Sequence, residues 1–402
     1  MQRGKHANPA RRNRMAERDI AAVDITWPHQ ANFGPGAIAA IGKRMRALGA
    51  NRVLLASDAG VAAAGLVERV AGLLRAVGLH VAIDTGVSPN PREAEVEAIL
   101  ALWEAEGCDA IVALGGGSTI DAVKGACLRR FTGRSLDSLF DEGIQESPCE
   151  PLRFVAVPTT SGTGSETTLG AVLKTPRRKL VLRSEHLRPA LTILDPELVV
   201  SLPPRATAAT GFDVLMHALG VLTSNRPHPI GEMVGAEAMR LAAAHLPRAV
   251  EDGRDIEARS AMMLASYLAG HGITLKGVDA IHGLSTPVES LTDCTHADSL
   301  AVICPHVMRF NLPAAGGRYA RIARMIGVAA EGEPDMTAAE RLMAHLTGLR
   351  DRFGMPSRLG ALGVQPSMIP ELARQAQLSA ATHGNARPLD AAAASALYEE
   401  MV

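Results

Sequence analysis

Apolar residues fall into two textures along the chain. Up to about residue 194, short apolar runs at 53–56, 80–84, 110–114, 154–157 and 191–194 alternate with longer amphipathic stretches such as 60–77 and 91–106. The runs predict β-strands, and the stretches are long enough to be helices that cross back over a sheet. Strands alternating with helices imply a parallel sheet with right-handed crossovers. Runs as continuous as Ala110-Ile111-Val112-Ala113-Leu114 fit strands covered on both faces. After Asp195-Pro196 and the Pro203-Pro204 pair the pattern turns helical almost to the end, rich in Ala, Leu, Met and Glu. This change places a domain boundary near 195–204, with an α/β domain at 25–198 and an all-helical domain at 199–402. A crevice between two such domains is a common place for a small-molecule site.

Composition narrows the classes. A chain of 402 residues exceeds what one core usually supports, in keeping with two domains. With 41 basic and 42 acidic side chains, neither a phosphate backbone nor an anionic membrane is the expected partner. Aromatic residues, 3% of the total, leave few stacking platforms for single-stranded nucleic acid. No uninterrupted apolar run reaches the roughly 18–20 residues of a membrane span. The five cysteines, Cys108, Cys127, Cys149, Cys294 and Cys304, are odd in number and lack C-x-x-C spacing, which predicts a reducing, cytoplasmic setting. Residues 1–24 are basic and polar with no apolar stretch of a secretory signal. They read as a disordered tail, with Met15 as an alternative start to Met1.

Three segments carry candidate chemistry. Gly115-Gly116-Gly117-Ser118-Thr119-Ile120-Asp121 follows the third strand and opens a helix. Glycines let backbone approach a ligand, and free N–H groups at a helix start attract phosphate. Without a ligand the same segment is a tight strand-to-helix turn. A second loop, Pro158 to Thr168, is rich in Ser, Thr and Gly after the fourth strand, where open sheets bind ligands. Ordinary loops share that composition. Asp213 and His217, four apart in the first helix after the double proline, share one helix face. Together with two further histidines they would suit Fe(II), Zn(II) or another divalent ion. Spacing alone does not select His282 and His296 over His271 or His306.

The combination resembles the iron-containing (group III) alcohol dehydrogenase family across about residues 28–400. The matching stretches are GGGSTIDAVK at 115–124, VPTTSGTGSETT at 157–168, ILDPELVVSLPPRATAATGFDVLMHA at 193–218, the segment 282–311 ending HADSLAVICPHVMRFN, and HGNARPLD at 383–390. The resemblance implies a Rossmann-like N-terminal domain binding a nicotinamide dinucleotide and a helical C-terminal domain holding a metal. It implies metal ligation by Asp213, His217, His282 and His296. Gly116, Gly117, Ser118 and Asp121 become cofactor contacts, joined by Asn90, Thr159, Thr160, Thr168 and Lys179. Asp58 falls where the family has an acidic residue near the adenosine ribose, favouring NAD(H) over NADP. The implied activity interconverts a small alcohol and its aldehyde, and the implied assembly is a homodimer.

Three positions depart from the family pattern. Thr286 stands where many members have a second histidine, and its hydroxyl is a candidate proton relay, with His271 as a substitute more simply read as a packed core residue. Gly220 replaces a usual glutamate, and Ala297 a usual glycine. A maleylacetate reductase-like enzyme and a non-catalytic dinucleotide- or metal-binding homologue are the competing readings; the retained Asp213 argues against the first.

Overall fold

The structure, a computed structural model, describes residues 30–144 and 152–402. The segment 1–24, with the choice between Met1 and Met15, lies outside the described residues. The strands are β1 (Ala31–Phe33), β2 (Arg52–Asp58), β3 (His80–Val87), β4 (Ala110–Gly115), β5 (Phe154–Pro158), β6 (Gly170–Lys174), β7 (Lys179–Arg183) and β8 (Leu191–Leu194). Six form one parallel sheet in the order β1-β8-β5-β4-β2-β3, with β4 held between its neighbours in the register Leu55↔Val112 and Val112↔Val155. Helices α1 (Ile41–Ala47), α2 (Ala59–Ala63), α3 (Leu66–Arg75), α4 (Glu93–Ala105), α5 (Gly117–Thr132) and α6 (Leu136–Glu142) accompany it.

The continuous apolar runs are explained by burial on both faces. Leu54, Ala56, Ile111, Ala113 and Phe154 pack with Val96, Ile99 and Trp103 of α4 and Ile120 and Val123 of α5. Their neighbours Val53, Leu55, Val112, Leu114 and Val155 pack with Ile41 and Met45 of α1 and Val67, Val70 and Leu74 of α3. Each large aliphatic side chain so buried contributes roughly 1.5–3 kcal/mol relative to exposure.

Two local features differ from the sequence expectation. The stretch at 60–77 is not one helix: Gly65, at φ 75, breaks it into α2 and α3. The antiparallel pair β6–β7 goes unpredicted, because Lys179, Val181 and Arg183 alternate with buried Leu180 and Leu182 and the pattern reads as a polar loop.

From Pro204 onward the described chain is helical: α7 (Pro204–Thr223), α8 (Pro229–Glu251), α9 (Ile256–Lys276), α10 (Ala280–Thr292), α11 (His296–Met325), α12 (Asp335–Arg352), α13 (Ile369–Ala376), α14 (Ala380–His383) and α15 (Ala391–Met401). All of these except α14 contribute to one apolar core. Among the described residues, α7 is the one helix that by length and mean hydropathy passes for a membrane span. Within that helix 78% of the apolar window is buried in the protein, so its apolarity serves the core. Cys108, Cys127, Cys294 and Cys304 are all free thiols.

The two halves touch backbone to backbone. Gly164, at φ +63 in the polar loop, and Gly270 of α9 approach so closely that a Cβ on Gly270 would lie 2.6 Å from the Gly164 carbonyl oxygen. Any side chain at either position would push the loop away from the helix.

Candidate active site

Along the sheet, β3 lies on one side of β2 and β4 on the other, so the strand order reverses between β2 and β4. Open α/β sheets bind ligands at the carboxyl edge of such a point. The cavity there, about 1620 Å³ and open to solvent, is lined by Asp58, Gly116, Gly117, Ser118, Thr159 and Thr160 among others. Asp58 ends β2 and caps α2, with one carboxylate oxygen accepting from the Val61 N–H at 2.9 Å. The N-cap of α5 is Gly116, so the first N–H groups of that helix open toward this cavity. A Cβ on Gly117 would lie 2.5 Å from the Thr163 hydroxyl, which ties the glycine loop to the second polar loop.

A second cavity, of about 1040 Å³, adjoins it at Gly117, Ser118 and Thr163 and reaches Asp213, His217, Thr286 and His296. Of the other residues expected to bind cofactor, Asn90, Asp121, Thr168 and Lys179 line it. Both oxygens of the Asp121 carboxylate are engaged, one by the Ser165 hydroxyl and one by the Val172 N–H at 2.9 Å. Asn90, at φ 56, accepts from Lys179 Nζ at 3.0 Å and donates to Asp293 at 3.4 Å. Arg92 and Lys174 also pair with Asp293, fastening the end of α10 over the sheet half.

Four side chains converge at the inner end. Asp213 and His217 lie on one face of α7; His282 is in the first turn of α10, whose N-cap is Asp279; His296 begins α11, capped by Thr295. The short turn 293–295 brings the last two together. One ligand atom from each of the four lies within 4.8 Å of the others. The Nε2 atoms of His217, His282 and His296 stand 3.4, 3.6 and 3.5 Å from Asp213 Oδ1. These distances exceed a charge-assisted hydrogen bond. They match the edge of a tetrahedron with metal–ligand bonds near 2.1 Å, about 3.4 Å. Among the described residues, Asp213 Oδ1 and both ring nitrogens of His282 are buried without a hydrogen-bond partner. Burial raises the Asp213 carboxyl, but the surrounding imidazoles outweigh it and hold it at about 2. Burial lowers His217 to about 3. An ionised carboxylate beside neutral imidazole is the donor set of a divalent cation, and the residues fit one.

The sequence reading left His271 and His306 open as ligands. His306 instead meets Glu400 at 3.4 Å, and His271 packs edge-on against Tyr267 at 4.6 Å in α9. Neither is among the four that converge. Gly220 has a packing reason: a Cβ there would sit 3.1 Å from the Asp279 N–H nitrogen, displacing the turn that starts α10. Thr286 lines the cavity, with its hydroxyl donating to the His282 carbonyl at 3.2 Å.

Glu289 escaped the sequence reading. It is buried, accepts from Lys179 Nζ at 2.5 Å and from the Ser299 hydroxyl at 3.1 Å, and meets His296 Nδ1 at 2.6 Å. Although burial raises its carboxyl, His296 and Lys179 bring it far below the ordinary glutamate range. Its position seven residues after His282, on the same helix face, was the one available signal.

Glu166, buried beside Lys124 in the second polar loop, is pushed up to about 7, chiefly by burial. The folded protein therefore binds this proton more tightly than the unfolded chain. That contribution is complete below the ordinary value of 4.5 and is lost as the pH rises through 7. Glu166→Gln is expected to be more stable than wild type at pH 8 by about 1–3 kcal/mol, with the gap closing toward pH 5, in urea titrations at the two pH values. Equal gaps at both would contradict it.

Comparison with known proteins agrees with this geometry. The iron-containing alcohol dehydrogenase family matches residues 28–196, and its C-terminal counterpart matches 207–402. The NAD-dependent methanol dehydrogenase of Bacillus methanolicus is 36% identical over 90% of this chain and 94% of its own length. The 1,3-propanediol dehydrogenase of Klebsiella pneumoniae is 36% identical over 88% and 92%. A crystal structure of 1,3-propanediol oxidoreductase superposes with a TM-score of 0.89 at 34% identity, covering 95% of this chain and all of that one. A parallel sheet joined to a helical half that carries a three-histidine, one-carboxylate cluster fits a metal-type oxidoreductase. The chain belongs to the iron-containing alcohol dehydrogenase family and is an alcohol dehydrogenase or aldehyde reductase of that type.

Proposed function

We propose that the chain is a metal-dependent NAD(H) oxidoreductase interconverting a small primary alcohol and its aldehyde, with hydride transfer in the cavity between sheet and helices. Residues 25–198 form its cofactor domain and 199–402 its metal domain. The observation that supports this most directly is the four-donor cluster at the inner end of a cavity that begins at the glycine loop. A divalent ion there, Fe(II) or alternatively Zn(II), supplies a Lewis acid for the alcohol or carbonyl oxygen, and NAD(H) supplies or accepts the hydride. The printed names of the relatives, a methanol and a 1,3-propanediol dehydrogenase, agree with a short alcohol, and the first with NAD.

Each residue then has a task. Gly116, Gly117 and Ser118 offer N–H groups at the start of α5 to the pyrophosphate, with Thr159 and Thr160 beside them. The Asp58 carboxylate takes a ribose hydroxyl and repels a 2′-phosphate. Glu289 keeps a proton on His296 Nδ1, so that the Nε2 lone pair faces the ligand point. Lys179 neutralises Glu289 and holds Asn90. The Thr286 hydroxyl is the proton relay, exchanging its bond to the His282 carbonyl for one to substrate or water.

Chelating the protein and restoring Fe(II) or Zn(II) tests the reading. Loss and recovery of NADH oxidation on short aldehydes is expected, with NADPH at least about tenfold less effective. Turnover that survives complete metal removal would sink it.

A further inference from the structure

Among the described charged side chains that line the inner cavity, one cation has no partner. The cavity's carboxylates are committed: Asp121 to Ser165 and the Val172 N–H, Asp213 to the imidazole cluster, Glu289 to Lys179 and His296. Lys179 is answered by Glu289. Arg183 also lines this cavity, at the end of β7, and among the described residues it has neither an ion pair nor a hydrogen bond from its guanidinium. The neighbouring Glu185 is taken by Arg188 at 2.7 Å. A second cation that acts on Arg183, Arg226, donates to the Ala380 carbonyl at 3.4 Å. The Arg183 side chain is exposed at the cavity wall; desolvation there, then repulsion from Arg226, lower its guanidinium from the ordinary value, with Glu185 opposing. A guanidinium that lines a ligand cavity and has no partner among the described residues is available to receive an anion.

We propose that the substrate carries an anionic group of carboxylate or sulfonate type at the end remote from its carbonyl, received by Arg183. The inference rests on the function proposed above and gives that site a substrate class. Period-two alternation puts Lys179, Val181 and Arg183 on one face of β7, and all three line the cavity. Lys179 marks the His296 end through Glu289. Four residues of strand separate the Lys179 and Arg183 backbones by about 13 Å, shortened by the reach of the arginine side chain. The anion and the carbonyl must therefore be several bonds apart, with Val181 and Ile273 supplying apolar wall between them.

Matched pairs of aldehydes test this on the metal-loaded enzyme with NADH: glyoxylate against acetaldehyde, malonic semialdehyde against propanal, succinic semialdehyde against butanal. The expected result is a kcat/KM ratio of anionic to neutral substrate of at least about tenfold for the four-carbon pair, carried mostly by KM, and a smaller ratio for the shorter pairs. Arg183→Gln should collapse the four-carbon ratio by about tenfold, and Arg183→Lys should restore part of it. Since the guanidinium bonds nothing among the described residues, its loss strands no described partner. Neutral aldehydes turned over as well as anionic ones would overturn the anion site while leaving the proposed function standing. A ratio that persists in Arg183→Gln would overturn the assignment to Arg183. Failure to reduce any aldehyde would remove the proposed function and this inference with it.

Discussion

Replacing Asp213 by asparagine is expected to lower kcat/KM for aldehyde reduction by about a thousandfold while leaving the fold and NADH binding in place. The carboxylate is the one anionic donor in the cluster, and its Oδ1 sits 3.4–3.6 Å from three imidazole nitrogens. Three neutral imidazoles bind a divalent ion more weakly without it. Changes one shell further out already cost about ten- to a hundredfold in affinity, so a donor costs more. Stability should respond differently. In the metal-free protein Asp213 Oδ1 has no hydrogen-bond partner among the described residues, so an isosteric neutral side chain strands no partner. Metal content, NADH affinity by fluorescence and thermal unfolding, measured on one sample, separate these effects. Full metal occupancy with retained turnover in Asp213→Asn would refute the ligand assignment.

Lys124→Met is expected to cost about 3–5 kcal/mol of stability, the largest such effect among the substitutions considered. The ammonium is fully buried and donates to the carbonyls of Ser165, Thr168 and Gly170 at 2.6, 2.8 and 2.7 Å. Burial lowers its pKa to about 8, with Asp121 and Glu166 opposing that shift, so it remains a cation at neutral pH. Methionine keeps the volume but leaves three carbonyls unpaired and two buried carboxyls without their cation. The same bonds fix the second polar loop and the start of β6 against α5. Weaker NADH binding should therefore accompany the lost stability. Urea unfolding indistinguishable from wild type would show that the ammonium is dispensable.

Legibility followed sequence locality. Val53–Ala56 and Ala110–Leu114 announce themselves because a doubly covered strand must be apolar at every position. The glycine loop is legible because a helix start that faces a ligand needs small residues at fixed offsets from a strand. Asp213 and His217 could be paired from spacing, since four residues are one helical turn. Their partners could not: His282 and His296 stand on different helices, and only the family resemblance selected them over His271 and His306. Lys179 lines the cavity, and its bonds to Glu289 and Asn90 could not be read from sequence, since those partners lie 110 and 89 residues away.

The sequence by itself therefore determined the alternating α/β half, the helical half after the double proline, the glycine-rich strand-to-helix turn and the family. Tertiary structure decided which groups meet. It closed four side chains from three helices on one point, set Glu289 behind His296, turned a polar-looking stretch into the β6–β7 hairpin, and left Arg183 facing the cavity unanswered. The physical reason is range. Strand and helix periodicity and loop conformation are written in neighbouring residues, whereas charge compensation and metal geometry depend on atoms that meet only after the helices have packed.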